Sequence, residues 1–512
     1  MMKKRNLLLS MVMGLTACLT LGTPEAATAA ASTGASDISS YGPNHLIKED
    51  GSLWVWGGTK SVPTQVHGVS EIQASYPLWN NGALVTGRDG SVWKWETNAR
   101  TMAIEVTPVP ELKNVTHVQS SYRRNIAVTG EGTLYTSVTS PGTNTVSPFA
   151  PVPGIDHVAA VSQYYENNKL NNKVSSWQRY LFLKTDGTVW TSMDELATFK
   201  PVANLKDIVQ LEQNYALSKN GSVWTWPVQN EYEPETQSDP AVVTATPFSG
   251  LTDIRALYNN GRSRLAVDVQ SRLWFWGSTV TGYSDGTTYQ DEPVPVVFSG
   301  ISKVTDAYIV EQSIVALTSD GKVYAASIAA ELMSPNAKFT LLASGIQSMQ
   351  GGGRHIIMQK QDGTLWGWGV NKDAELGYGT YEFSYKEPVP MQQPISVTLN
   401  GESIAFTNGV ITRSSLNFIP LRSLFSKMGA TVGYSMDKVV TITGTAADKS
   451  PLSIVINTVT GATTVNGKSI PLPTPPFVVN GTVYLPLRFI SEQLGAKVEW
   501  LPQEGRIAIS SK

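Results

Sequence analysis

The sequence predicts a mainly β protein: a β-propeller followed by a small duplicated α+β domain. Three observations carry this expectation. A hairpin-and-tryptophan motif occurs eight times between Gly51 and Trp368, and each copy lies in a unit of four β-rich segments. Near the C-terminus, two segments match each other at a constant offset of 66 residues.

The motif runs Gly51-Ser52-Leu53-Trp54-Val55-Trp56 and Gly90-Ser91-Val92-Trp93-Lys94-Trp95, then returns at Gly132, Gly187, Gly221, Ser271, Gly321 and Gly363. Successive intervals are 39, 42, 55, 34, 50, 50 and 42 residues, the spacing of propeller blades and superhelical repeats. Eleven of the 14 tryptophans fall in these segments, so they read first as framework. Asp-Gly or Asn-Gly between two β-rich runs marks a hairpin, read here as a two-residue type I′ turn. Asp50, Asp89, Asp186, Asp320 and Asp362 recur at that turn and read as turn formers rather than catalytic carboxylates.

Each unit orders a Val/Pro-rich segment A ("EPVPVVF"), an Ile/Val segment B ("DIRALY"), an apolar segment C ("LAVD") and the Trp strand D. Four antiparallel strands, apolar on both faces, describe a sheet packed between neighbouring sheets, which is a propeller blade. The first unit lacks an A segment, and a lone A-like segment, Glu387–Met391, follows the eighth. Pairing of Glu387–Met391 with the first unit is therefore the expected closure. Removal of residues 387–512 is expected to destabilise the propeller strongly, whereas removal of 396–512 is not. The count gives eight blades; seven, with one degenerate unit outside the ring, is the alternative.

On these residues the units resemble the regulator-of-chromosome-condensation (RCC) family, above all in "IQSMQGGGRHIIMQKQDGTLWGWGVNKDAELGYG". The resemblance covers about residues 38–392 and blurs in the third, fourth and seventh units, which lack the second Trp and the following Gly. It implies a propeller of RCC-type repeats, usually seven-bladed in the family. His45 and His355 match a position where the family's repeats often carry His, and a structural hydrogen bond is the role this implies. A secreted β-lactamase inhibitor uses such a propeller. The guanine-nucleotide exchange activity of eukaryotic relatives does not suit an exported chain.

"FIPLRSLFSKMGATVGY" (Phe418–Tyr434) and "YLPLRFISEQLGAKVEW" (Tyr484–Trp500) are the duplicated pair. Pro420 and Pro486 suit a first helical turn, Leu421, Leu424, Phe425 and Met428 have helical spacing, and Gly429 and Gly495 are placed as caps. Each half then runs into a β-rich hairpin. This segment resembles the copper amine oxidase N-terminal-like, or stalk, domain of Gram-positive secreted proteins. In the oxidases the copper and redox cofactor belong to another domain. No His follows His355 and the sole Cys is Cys18, so copper has no imidazole or thiolate ligands here; no cofactor is expected. Arg422 and Arg488 in the repeated Pro-Leu-Arg read as structural contacts.

The N-terminal segment has a basic start (Lys3, Lys4, Arg5), an apolar core and Ala27-Thr28-Ala29, which reads as a secretory signal over residues 1–31. The expected domains are then 32–392 and 393–512, in an extracellular or cell-surface protein. The sole cysteine, Cys18, lies in that signal, in a lipobox-like "LTAC", and a lipid anchor there is the less favoured alternative. Net charge is −2, or −4 after loss of Lys3, Lys4, Arg5 and Glu25, which argues against nucleic acid as a partner. No apolar run is long enough to span a bilayer.

No local motif supports catalysis: the five histidines are scattered, and neither a G-x-S-x-G elbow nor a phosphate-binding glycine loop occurs. The expectation is a non-enzyme. In an A-B-C-D meander the B–C and D–A connections emerge at one end of each blade. The long insertions are all of these kinds: residues 163–178, 228–240, 278–292 and 372–386. They carry Tyr164, Tyr165, Trp177, Tyr232, Tyr283, Tyr289, Tyr378, Tyr381 and Tyr385 among acids and amides. Tyr-rich polar loops on a rigid scaffold suit binding of a protein or glycan ligand; solvated loops with aromatics packed on the rim are the competing reading. Envelope attachment through the C-terminal domain, a secreted inhibitor and a polysaccharide-directed enzyme are the functions weighed.

Overall fold

The computed structural model describes residues 38–79, 82–140, 146–170, 173–228, 243–281, 288–421, 424–472 and 474–511. The N-terminal segment with Cys18, and Tyr232, Tyr283 and Arg422, lie outside them. The described chain divides into two compact units. One holds Ser75–Lys94 and Thr107–Leu342; the other holds residues 38–74, Trp95–Val106 and 343–511.

Ile38–Tyr41, His45–Lys48, Leu53–Gly57 and Lys60–Gln65 form a four-stranded antiparallel meander in chain order. The arrangement recurs over residues 72–108, 115–151, 158–201, 208–247, 254–297, 304–344 and 346–390. These eight sheets are the blades of a β-propeller, numbered 1 to 8 in chain order. The grouping differs from expectation by one strand. A blade takes segments B, C and D and then the following A segment as its fourth strand. Blade 1 is therefore complete, and Ser384–Pro390 pairs with Leu365–Val370 of its own blade 8. Closure by strand exchange is overturned. A tight hairpin pairs Gly57 with Lys60 and costs little loop-closure entropy, whereas exchange would first close a loop as long as the propeller.

The C–D turn also differs from the type I′ reading. Gly51 N–H donates to Lys48 O (2.9 Å), Lys48 N–H donates to Ser52 O (3.0 Å), and Gly51 alone in the turn has a positive φ, 75°. That is a three-residue connection ending in a left-handed glycine bulge. Asp50 Oδ1 accepts from Ser52 N–H at 2.8 Å, and Asp89, Asp186 and Asp362 repeat the bond. The recurring aspartates are turn formers. Glycine has a second reason here: Gly51 O accepts from Ile72 N–H, and a Cβ at Gly51 would lie 2.5 Å from Glu71 Cα. The same clip joins Gly132 to Val158, Gly187 to Ile208 and Gly221 to Ile254.

Neighbouring blades share apolar cores. In the first unit, Leu265, Phe275 and Phe298 of blade 6 pack with Ile309, Ile314 and Ala316 of blade 7. In the second unit, Leu46, Trp54 and Trp56 of blade 1 pack with Ile357, Leu365 and Met391 of blade 8 and its edge. Trp56 Nε1–H donates to Glu375 O (2.9 Å), and the Tyr41 hydroxyl lies 2.7 Å from Ser348 Oγ. Side chains, not an exchanged strand, make this seam. His355 bonds Pro43 O at 2.9 Å and His117 bonds Val161 O at 3.0 Å, each linking adjacent blades. Burial pushes both imidazoles below their ordinary pKa and His45 down to about 4.

Residues 395–511 lie in the second unit. Leu416–Pro420 pairs antiparallel with Thr482–Pro486, and Ile419 faces Leu485, its own counterpart at the 66-residue offset. The duplication is thus a local two-fold. A helix, α1, spans Leu487–Gln493. It begins after Pro486 rather than on it, because Pro486 closes a strand. Its end is a Schellman motif: Ala496 N–H to Ser491 O and Gly495 N–H to Glu492 O. Ala430 to Phe425 and Gly429 to Ser426 repeat these bonds, yet Leu424–Gly429 of the first copy forms turns rather than the expected helix. Ser426 stands there where the second copy has Glu492, and serine competes for backbone bonds.

This domain covers the outer strand of blade 1. Lys60–Gln65 is buried almost throughout, whereas the fourth strands of blades 3, 4 and 5 are exposed. Val62 packs with Ile411, Phe418, Val479 and Tyr484. Asn408 accepts from Ser61 N–H (3.0 Å) and donates to Ser61 Oγ (2.9 Å), and Gly409 N–H donates to Thr64 Oγ1 (2.8 Å).

Candidate functional site

The insertion at residues 163–178 is not a loop. Val158–Leu170 and Lys173–Lys184 form one long hairpin, and Val189–Ser192 pairs only with its base at Tyr180–Leu183. Strand alternation puts Tyr164, Glu166, Trp177 and Arg179 on one face and Tyr165 on the other. Tyr164 is therefore core, a correction to its reading as a surface aromatic. Its hydroxyl accepts from Trp226 Nε1–H at 2.7 Å, and burial raises its pKa well above the usual tyrosine value. Half-buried Trp177 donates Nε1–H to Glu166 (2.8 Å), which also holds buried Arg179 at 2.6 Å. This paired, hydrogen-bonded ion pair stiffens the projecting hairpin.

Tyr165 is 59% exposed. It lies seven residues beyond Val158, the first residue of its blade. The same count from Val115 reaches Tyr122, 53% exposed, and from Ile72 reaches Trp79, 64% exposed. Three successive blades thus present a large aromatic at one equivalent place, where segment B leaves the blade. The three places are tied together: Trp79 N–H donates to Ser120 Oγ (2.8 Å), and Gln163 Nε2–H donates to Ser120 O (3.3 Å). Trp79 and Tyr122 are not among the expected residues, because they sit at short turns rather than in the long insertions. The constant spacing of 43 residues between Trp79, Tyr122 and Tyr165 was the signal available. In blade 6, Tyr289 is also exposed, with the Arg262 guanidinium 4.7 Å from its ring centre.

Tyr378, Tyr381 and Tyr385 of 372–386 lie in the second unit and are half-buried, whereas Phe383 beside them is exposed. Tyr378 and Tyr385 meet edge to face at 5.5 Å, and the Tyr385 hydroxyl lies 2.7 Å from Thr380 Oγ1. Tyr381 donates its hydroxyl to Gly58 O (3.0 Å) and packs beside Val62, Ile411 and Tyr484. These three rings are tied into the packing between blades 1 and 8 and the C-terminal domain.

Burial raises two carboxyls in the first unit well above the ordinary carboxylate range. Burial pushes Glu212 up to about 7 against hydrogen bonds from Gln210 and Asn259, and Asp306 up to about 6 against bonds from Tyr258 and Ala307 N–H. Both lie on first strands of blades and bond to their neighbours. Among the described residues no three His, Cys, Asp or Glu side chains come together as a metal set, and no helix is long and apolar enough to cross a membrane.

Residues 398–509 match the family model described as the copper amine oxidase N-terminal domain. No curated protein matches the chain. Among solved structures, the chain is similar to Prp20p of Saccharomyces cerevisiae, described with its binding properties to Gsp1p and histones. That match has 13% identity and a TM-score of 0.42, covering 69% of this chain and 88% of that one. The yeast RCC1 (Prp20) chain bound to Kap60 matches at 13% identity and a TM-score of 0.41, over 74% and 91%. Human WBSCR16 matches at 15% and 0.38, over 65% and 85%. The propeller assignment stands on the eight sheets themselves.

Proposed function

We propose that the protein is an exported, non-enzymatic recognition protein whose propeller binds a macromolecular partner through Trp79, Tyr122 and Tyr165, with the C-terminal domain attaching it to the cell envelope. The observation that carries this is the exposure of three large aromatics at one equivalent position in successive blades. A folding requirement would bury such rings; rigid exposed Tyr and Trp supply contact area at low entropic cost. The N-terminal sequence supports export, and the likeness of residues 398–509 to a stalk-type domain supports attachment.

Replacing Trp79, Tyr122 and Tyr165 together by Ala tests the reading. Capture of partner from envelope and secreted fractions should be lost, each ring contributing about 2 kcal/mol, while the melting temperature stays within a few degrees of wild type. Undiminished capture would refute it. The polysaccharide-directed enzyme remains the second reading, favoured by the raised pKa of Glu212 and Asp306. Polymer turnover lost in Glu212→Gln or Asp306→Asn would establish it instead.

A further inference from the structure

We propose that Arg264 and Trp276, at the edge between blades 5 and 6, receive the side-chain carboxylate of a glutamate or aspartate on a protein partner, a proposal that rests on the recognition reading above. The two residues face each other directly across Ser263–Asp268 and Leu273–Thr281, so their side chains leave the same face of the blade. Trp276 is buried, its ring 5.6 Å from Tyr215 and 5.7 Å from Phe248. Its Nε1–H is buried and has no acceptor, and neither has Arg264 Nε–H.

The rest of the guanidinium is fixed. Arg264 Nη1–H donates to Arg262 O (3.1 Å), Nη2–H lies 3.4 Å from Asn214 Oδ1, and the plane sits 4.7 Å from the Tyr215 ring centre. No carboxylate among the described residues forms an ion pair with Arg264, and Asp291 is held by Ser278 Oγ–H at 2.7 Å. Buried donors rarely stay unpaired, and here two of them, one charged, lie on cross-strand neighbours. Asp291 acts on Arg264 only from beyond ion-pair distance, and a carboxylate at the two donors supplies the acceptor oxygens they lack.

The donors' depth selects the ligand. Neither nitrogen reaches solvent, so the carboxylate must arrive on a narrow stem, as in Glu or Asp. A uronic acid carries its carboxylate directly on a pyranose ring, which would have to enter with it. Exposed Arg262, stacked on Tyr289, offers a second cation at the rim for an acidic neighbour in the same peptide.

The test is an NMR titration of the whole protein, nitrogen-labelled at tryptophan, with the Trp276 indole resonance assigned from Trp276→Phe. N-acetylglutamate α-amide, whose only ionised group is the side-chain carboxylate, should shift that resonance saturably, and galacturonate should not. In Arg264→Gln the affinity should fall about tenfold, the loss of one charge-assisted hydrogen bond. Should that variant melt early, Arg264→Lys keeps the charge, removes Nε–H and must weaken binding likewise. A resonance that does not move, or moves equally in the arginine variants, overturns the proposal. An equal response to galacturonate overturns it in favour of an acidic glycan. The readout needs no partner, so a silent Trp276 leaves aromatic-dependent capture standing. Capture that survives loss of Trp79, Tyr122 and Tyr165 overturns the recognition reading whatever Trp276 shows.

Discussion

His45, Glu212 and Asp306 make stability depend on pH in opposite senses. Burial lowers His45 to about 4 from an unfolded value near 6.5, so the folded protein binds the proton less well. Its contribution is complete above pH 6.5 and is lost as pH falls towards 4, about 3 kcal/mol in all. Glu212 and Asp306 are raised to about 7 and 6, so they contribute most below pH 4 and lose that contribution as pH rises through those values. Glu212→Gln should therefore stabilise the protein by up to about 3 kcal/mol at pH 8 and hardly at all at pH 4, measured by urea unfolding. A gain independent of pH would contradict the burial argument. At this scale the turn aspartates were legible, because Asp-Gly chemistry is local. Tyr164 was not. Its fate depends on residues 163–178 being strand, where alternate side chains turn inward, and length alone had suggested a loop.

At the scale of elements, the sequence showed every strand type of the blade but not the boundary between blades. The order A-B-C-D and the order B-C-D-A contain the same strands, and only pairing distinguishes them. The glycine bulge escaped for a similar reason: Asp-Gly serves both turn types, and hydrogen bonding at Lys48 decides. The likeness of Phe418–Tyr434 to Tyr484–Trp500 revealed the duplication, whereas the two-fold pairing of Ile419 with Leu485 needed the sheet. The burial of Val62 and Ser61 beneath this domain argues against the expectation that removing residues 396–512 would not destabilise the propeller strongly. Asn408→Ala strips two partners from Ser61 and should cost about 1–3 kcal/mol. Removal of residues 396–512 should lower the propeller's melting temperature clearly, since it uncovers the outer strand of blade 1. Equal melting temperatures for the truncated and full chains would show that this contact contributes nothing.

For the whole molecule, the eight blades supply a scaffold in which one position can be repeated, and three of the first unit's blades use that position for an exposed aromatic. Repetition is what converts separate turns into a surface, and it explains why no local motif announced a site. The repeat was visible in the sequence as tryptophan strands; the residues proposed for recognition sit at the other end of the blade, outside the motif. The central claim is that a partner covers the end of the blades carrying Trp79, Tyr122 and Tyr165, not the end carrying the Asp-Gly turns. Hydroxyl-radical footprinting of the protein with and without its captured partner tests this most directly. Strong protection of Trp79, Tyr122 and Tyr165, with the turns at Asp89, Asp186 and Asp362 unchanged, is the predicted result. Protection of those turns while the three aromatics stay fully reactive would contradict it.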